Sequence, residues 1–297
     1  MRELHRRAAL LSGLAAVFVA GTATAQDRPR LRERRRRRAP DRAGGNGRSD
    51  APHTSISTGS DPKQAYDLYA NAAATGPVLA FIHGGGWSMG DKSMVHDLPE
   101  YAQRHGLTFA SIGYRLVPQV TPREQAQDVA AAVAALRRTH PGRPLFLMGH
   151  SAGAHLAALV GTDPTWLAGQ GLQPSDLAGV ILLDGAGYDA TGDRGDGYSG
   201  RLLGRLYDAA FGDNAAALSP TLLVRAGVTY PPFLIFHISS RQDSRGQSEA
   251  LAQALNRAGG RAEVVVAPDD SHRDINVEFG QAGDAEGERA ARFILGR

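Results

Sequence analysis

The stretch PLFLMGHSAGAHLAALV, residues 144–160, changes character at its middle. Pro144–Gly149 is a short apolar run suited to a buried strand, and Ala152–Thr162 is Ala-rich and suited to a helix. Between them Gly149-His150-Ser151-Ala152-Gly153 spells G-x-S-x-G across a strand–turn–helix junction. A serine there sits on a strained turn that lifts its hydroxyl above the sheet, and the flanking glycines avoid clashes with neighbouring strands. Ser151 is therefore the candidate nucleophile.

Outward from this point the same rhythm repeats. Apolar runs at Ala65–Tyr69, Pro77–His83, Leu107–Gly113, Pro144–Gly149, Ala178–Leu183, Pro232–Ile238 and Ala262–Ala267 are expected strands. Helices are expected at His96–His105, Pro122–His140, Ala152–Thr162, Ser244–Ala258 and Gly283–Leu295. In the second, Val129, Val133 and Leu136 fall at helical spacing. Alternating strands and helices predict an α/β class fold, a doubly wound, mainly parallel sheet flanked by helices. A helical piece near Arg201–Phe211, in a Gly/Asp-rich stretch between Asp184 and Pro231, leaves room for a small cap at most.

In open parallel sheets the functional crevice lies beyond the C-terminal ends of the strands. Polar residues at those ends therefore carry weight. His83-Gly84-Gly85-Gly86-Trp87 follows one strand, and three successive glycines let backbone N–H groups point into a cavity and hold a developing oxyanion. Gly90-Asp91-Lys92-Ser93 follows closely, but a phosphate-binding loop needs Lys directly after its last Gly and belongs to a different spacing. Asp243 follows the strand ending at Ile238, and His272 follows the last strand within PDDSH. The chain order Ser151, Asp243, His272 suits a nucleophile, acid and base set. Asp184, after another strand, is the rival acid.

Composition narrows the classes further. The 297 residues are 42% hydrophobic and 21% charged, which fits a globular chain with a sizeable core and excludes collagen-like, coiled-coil and wholly disordered classes. No cysteine is present, so a thiol nucleophile, a disulfide framework and a thiolate metal site are excluded. His150 and His155 are five apart, off the i, i+4 spacing of a helical metal pair, and no metal or organic cofactor is expected. The net charge of +3 is uneven: residues 51–297 hold 20 Lys+Arg against 25 Asp+Glu. A basic nucleic-acid-binding body is thereby excluded, and nucleic acid has no part in the expected chemistry.

The positive charge lies at the front. Arg2, Arg6 and Arg7 precede an apolar run from Ala8 to Ala20 and the small-residue site Ala23-Thr24-Ala25, so residues 1–25 are expected to be an export signal, of the general secretory or the twin-arginine kind. Residues 26–60 are expected to form a disordered arm and linker, in which Arg28 to Arg42 contains nine arginines. The arm reads first as a solvated spacer and second as a contact for anionic surfaces. Residues 61–297 are expected to be the catalytic domain, working outside the cytoplasm, periplasmic or extracellular. The number of subunits is not encoded in any pattern.

Taken together, YDLY at residues 66–69, HGGGW, GYRLVP at residues 113–118, GHSAGAHLAAL and the late Asp and His resemble the α/β-hydrolases, in particular the hormone-sensitive-lipase-like and arylformamidase-like esterases. The resemblance covers most of residues 61–297. It implies Ser151 as nucleophile, His272 as general base and Asp243 as its orienting acid, with an oxyanion hole from the N–H groups of Gly85, Gly86 and Ala152. Two departures stand out: DDSH lacks the common Gly-containing approach to the histidine, and SSRQD replaces the more usual H-G-x-x-D. Trp87 and Tyr188 are candidates to line the substrate pocket. The implied function is a secreted serine carboxylesterase that hydrolyses short-acyl esters through an acyl-enzyme. The alternatives are an arylformamidase-like amide hydrolase and a non-catalytic binding protein of the same fold.

Overall fold

Val78–Ile82 (VLAFI) is buried at all five positions, and such a strand needs cover on both faces. A computed structural model, which describes residues 47–71, 74–192 and 197–297, supplies that cover. The strands are β1 (His53–Ser57), β2 (Ala65–Tyr69), β3 (Val78–Ile82), β4 (Thr108–Ile112), β5 (Leu145–His150), β6 (Gly179–Leu183), β7 (Phe233–Ile238) and β8 (Ala262–Ala267). They form one eight-stranded sheet in the order β1-β2-β4-β3-β5-β6-β7-β8. The β1–β2 and β2–β4 pairs are antiparallel, and every pair from β4 through β8 is parallel.

The helices are α1 (Leu98–Arg104), α2 (Pro122–Thr139), α3 (Ala152–Thr162), α4 (Pro164–Ala168), α5 (Gly197–Phe211), α6 (Pro220–Leu223), α7 (Gln242–Arg257), α8 (Asp274–Val277) and α9 (Ala285–Leu295). Strand residues alternate between two cores, as a period of two demands. Val78, Ala80, Ile82, Leu147, Val180 and Ile235 face a core shared with Val129 and Val133 of α2, Leu156 of α3, Leu206 of α5 and Leu251 of α7. Leu79, Phe81, Met148, Ile181 and Phe236 face the other, with Leu98 and Tyr101 of α1 and Ala290 and Ile294 of α9. Helices therefore lie on both faces, and the seven strands and five helices expected from sequence are all present.

The exception is β1. His53–Ser57 falls in the stretch expected to be linker, yet it pairs with β2 through all five of its residues. Its sequence, HTSIS, has no apolar run, and four of its five residues are exposed, so it is an edge strand held by backbone bonds rather than by burial. The leader at residues 1–25 and the Arg28–Arg42 arm lie outside the described residues.

Candidate active site

The β5–α3 junction is built by sterics. Ser151 has φ +54° and ψ −119°, a conformation that L-residues avoid unless the surroundings impose it. Its N–H donates to Leu183 O at 3.1 Å, tying the turn to the end of β6. A Cβ on Gly149 would strike the carbonyl of Gly153, and a Cβ on Gly153 would strike that of Ile82 in β3. Both glycines are therefore required for helix α3 to start so close to the sheet.

Ser151 Oγ lies 3.1 Å from His272 Nε2, and His272 Nδ1 lies 2.6 Å from Asp184 Oδ2. All three side chains are buried, Asp184 completely. Asp184 follows β6 with φ +41°; its N–H donates to Phe236 O at 2.9 Å, and its Oδ1 accepts from the Ile238 N–H at 3.3 Å. Burial by itself raises this carboxyl, but the Arg241 cation, His272 and Ser244 outweigh it and hold the group well below the usual carboxylate range.

The acid expected after β7 is thereby corrected. Asp243 does not meet His272; it lies in the first turn of α7, a quarter exposed, and its Oδ2 pairs with Arg241 Nη2 at 2.5 Å. The rival, Asp184, is the carboxylate that reaches the imidazole. The physical reason is register: β6 lies beside β5, so the residue after Leu183 emerges next to the residue after His150.

The glycine loop lies against the same turn. A Cβ on Gly84 would approach His150 Nδ1 to 2.9 Å and Ser151 Cβ to 3.2 Å. Gly85 and Gly86 have φ +124° and +55°, and neither N–H donates to a backbone carbonyl among the described residues. Ala152 opens α3, where a helix N–H has no carbonyl one turn earlier. These N–H groups are the available donors beside Ser151.

Several residues that the sequence reading passed over brace this loop. Tyr114, from the GYRLVP segment, stacks on His83 with centroids 4.3 Å apart and donates its hydroxyl to His83 O at 2.9 Å. Gln125 of α2 donates to Trp87 O at 2.7 Å, and the Val117 N–H donates to the same oxygen at 3.0 Å. Lys92, which follows the glycine loop, pairs with Asp67 of the YDLY strand at 2.7 Å. Asp67, Tyr114 and Val117 were signalled only as members of the shared motifs, and Gln125 by no pattern.

Trp87 and Tyr188, expected to line a pocket, are 1% and 0% exposed. The Trp87 indole N–H donates to His155 Nδ1 at 3.1 Å, and His155 Nε2 donates to Leu218 O at 2.8 Å. Phe211 and Tyr207 of α5 meet the indole edge-on, with centroids 4.8 and 5.9 Å away. Trp87 therefore joins the glycine loop to the cap and presents almost no free surface. His150 donates from Nε2 to the backbone carbonyl of His272 at 2.9 Å, with the two rings 4.7 Å apart. Burial, with His272 next, pushes its imidazole down to about 3; burial likewise pushes His155 down to about 4, so both stay neutral donors and acceptors.

Comparison with known proteins gives a consistent picture. A family model described as alpha/beta hydrolase fold matches residues 79–275. A probable isoprenylcysteine alpha-carbonyl methylesterase of Arabidopsis thaliana is 27% identical over 252 residues, covering 75% of this chain and 51% of that protein. A kynurenine formamidase of Meyerozyma guilliermondii is 31% identical over 113 residues, covering 37% and 43%. Among solved structures, a hormone-sensitive lipase from a metagenome library superposes with a TM-score of 0.69 at 21% identity, covering 96% of each chain. The chain spans about half the length of the curated methylesterases it matches.

Proposed function

From a chain that belongs to the alpha/beta hydrolase fold family, we propose a serine carboxylesterase that acts on short-acyl esters through a covalent Ser151 acyl-enzyme. The observation that carries the reading is the continuous relay from Ser151 Oγ through His272 to Asp184, at 3.1 and 2.6 Å. Asp184 accepts the hydrogen bond from Nδ1–H, which leaves the Nε2 lone pair directed at the serine hydroxyl. His272 takes the hydroxyl proton as Ser151 attacks the ester carbonyl. The oxyanion that forms is held by the N–H groups of Gly85, Gly86 and Ala152, each contributing roughly 3–4 kcal/mol in comparable sites. The imidazolium then protonates the leaving alcohol, and water resolves the acyl-enzyme by the same steps in reverse.

The closed packing of Trp87, Tyr207 and Phe211 between the glycine loop and α5 supports small acyl groups. A second reading, formamide hydrolysis, draws support from the partial likeness to a kynurenine formamidase. The leader at residues 1–25 supports work outside the cytoplasm, and the arginine arm a contact with anionic surfaces.

The test is release of p-nitrophenol from acetate, butyrate and octanoate esters, beside hydrolysis of an N-formyl anilide, by the wild type and Ser151→Ala. Ester turnover that falls with chain length and vanishes in the variant supports the reading. Turnover of the formamide alone moves the assignment to amides, and folded protein inert on both classes overturns it.

A further inference from the structure

The end of β7, where the sequence reading put an acid, instead sends a cation into the site. The Arg241 side chain is only 13% exposed. Its Nη1 lies 3.1 Å from Asp184 Oδ2, 3.3 Å from Asp184 O and 3.2 Å from His272 Nδ1, while its Nη2 is held by Asp243. No step of the proposed hydrolysis uses this group.

His272 Nδ1 cannot both give its proton to Asp184 and accept one from Arg241. At 2.6 Å the Nδ1–H donates to the ionised carboxylate, so the guanidinium N–H groups turn to Asp184 Oδ2 and its backbone carbonyl. The guanidinium then stands 3.2 Å from a ring that becomes cationic during the reaction, and it shares the carboxylate that would stabilise that cation.

We propose that Arg241 is a positioning residue that sets the acid limit of activity: it fixes Asp184 and makes the His272 imidazolium less favourable, so the base stays neutral to lower pH. Asp243 is the counter-ion that takes part of Arg241's charge away from the pair. The inference rests on the hydrolytic reading of Ser151, His272 and Asp184. Other groups that face His272 are His150 from the end of β5, which contacts its ring and carbonyl, Ser151, which faces Nε2, and Asp270, which precedes it on its own loop. Tyr188 and Tyr207 belong to the electrostatic surroundings of Arg241, and burial raises both hydroxyls, keeping them neutral.

The experiment is kcat/KM for p-nitrophenyl butyrate against pH for the wild type, Arg241→Gln, Arg241→Lys and Asp243→Asn. Removing the cation in Arg241→Gln favours the imidazolium, so the midpoint of the acid limb moves up by about one pH unit, with kcat at the plateau down roughly tenfold. Arg241→Lys restores most of the midpoint. Asp243→Asn removes the anion that shares Arg241 with Asp184, so its midpoint moves down. A folded Arg241→Gln with an unmoved midpoint overturns the proposal, whatever happens to kcat, because a structural role lowers the rate without moving the limb. If Arg241→Gln does not fold, Asp243→Asn decides: a downward shift supports the proposal, and none or an upward one overturns it. If the wild type hydrolyses no ester, the hydrolytic reading fails on its own. The His272 ring titration by NMR, in wild type and Arg241→Gln, then tests the charge arrangement directly: an upward shift supports it and no shift overturns it.

Discussion

Asp184 and Asp243 are chemically identical, and only the backbone separates their roles. Asp184 is carried on a left-handed turn, with its N–H tied to Phe236 and its carboxylate against His272, whereas Asp243 sits in a helical first turn facing Arg241. Replacing Asp184 by Asn leaves the imidazole in the wrong tautomer, so kcat falls by about 10⁴-fold. Asp243→Asn lowers it by less than about tenfold, since it reaches the base only through Arg241. Stopped-assay comparison of the two variants on p-nitrophenyl butyrate checks the assignment. Ser151 and His272 were legible because G-x-S-x-G and a histidine after the last strand are local patterns. The acid was not, because the choice between the ends of β6 and β7 is made by where each carboxylate points, and an arginine two residues before Asp243 claims that side chain.

At the scale of elements, strand and helix positions followed from apolar texture, and their starts from local chemistry. Helix α2 begins at Thr121-Pro122, where Glu124 reaches back to the Thr121 N–H and hydroxyl. β1 was missed because an exposed edge strand needs no apolar run. Helix α5 was legible as a helical piece, but not for the packing it makes: Leu206 and Tyr207 are 1% exposed, and Phe211 3%, with the rings of Tyr207 and Phe211 packed on Trp87. Phe211→Ala opens space in that packing beside Trp87. Turnover of octanoate relative to butyrate esters is expected to rise about tenfold, with a loss of about 3–4 kcal/mol in unfolding free energy. Chain-length profiles and denaturant titration measure the two effects separately.

The whole molecule stacks two cores on one sheet, and the second contains a group that titrates near neutrality. Burial first, then Asp284 and Asp270, pushes the Glu286 carboxyl up to about 7. Because the folded value lies above the unfolded value of about 4.3, stability from this group is fully present below about pH 4 and is lost as pH rises through 7. Glu286→Gln, which keeps the shape and removes the charge, is expected to flatten the fall in Tm between pH 5 and pH 8. Calorimetry at the two pH values checks it, and an unchanged slope contradicts it.

The hydrogen bond from His150 to the His272 carbonyl has a mechanical consequence. Serine and histidine follow β5 and β8, with β6 and β7 between them, and β8 is the outer strand, with Val266 48% exposed. Distance errors would accumulate along that row if the strands alone set the spacing. His150, the residue next to Ser151, grips the backbone of His272 at 2.9 Å and bypasses the row. Fluctuation at the rim of the sheet is thus insulated from the Ser151–His272 contact, much as a tie rod keeps two posts parallel while the wall between them flexes.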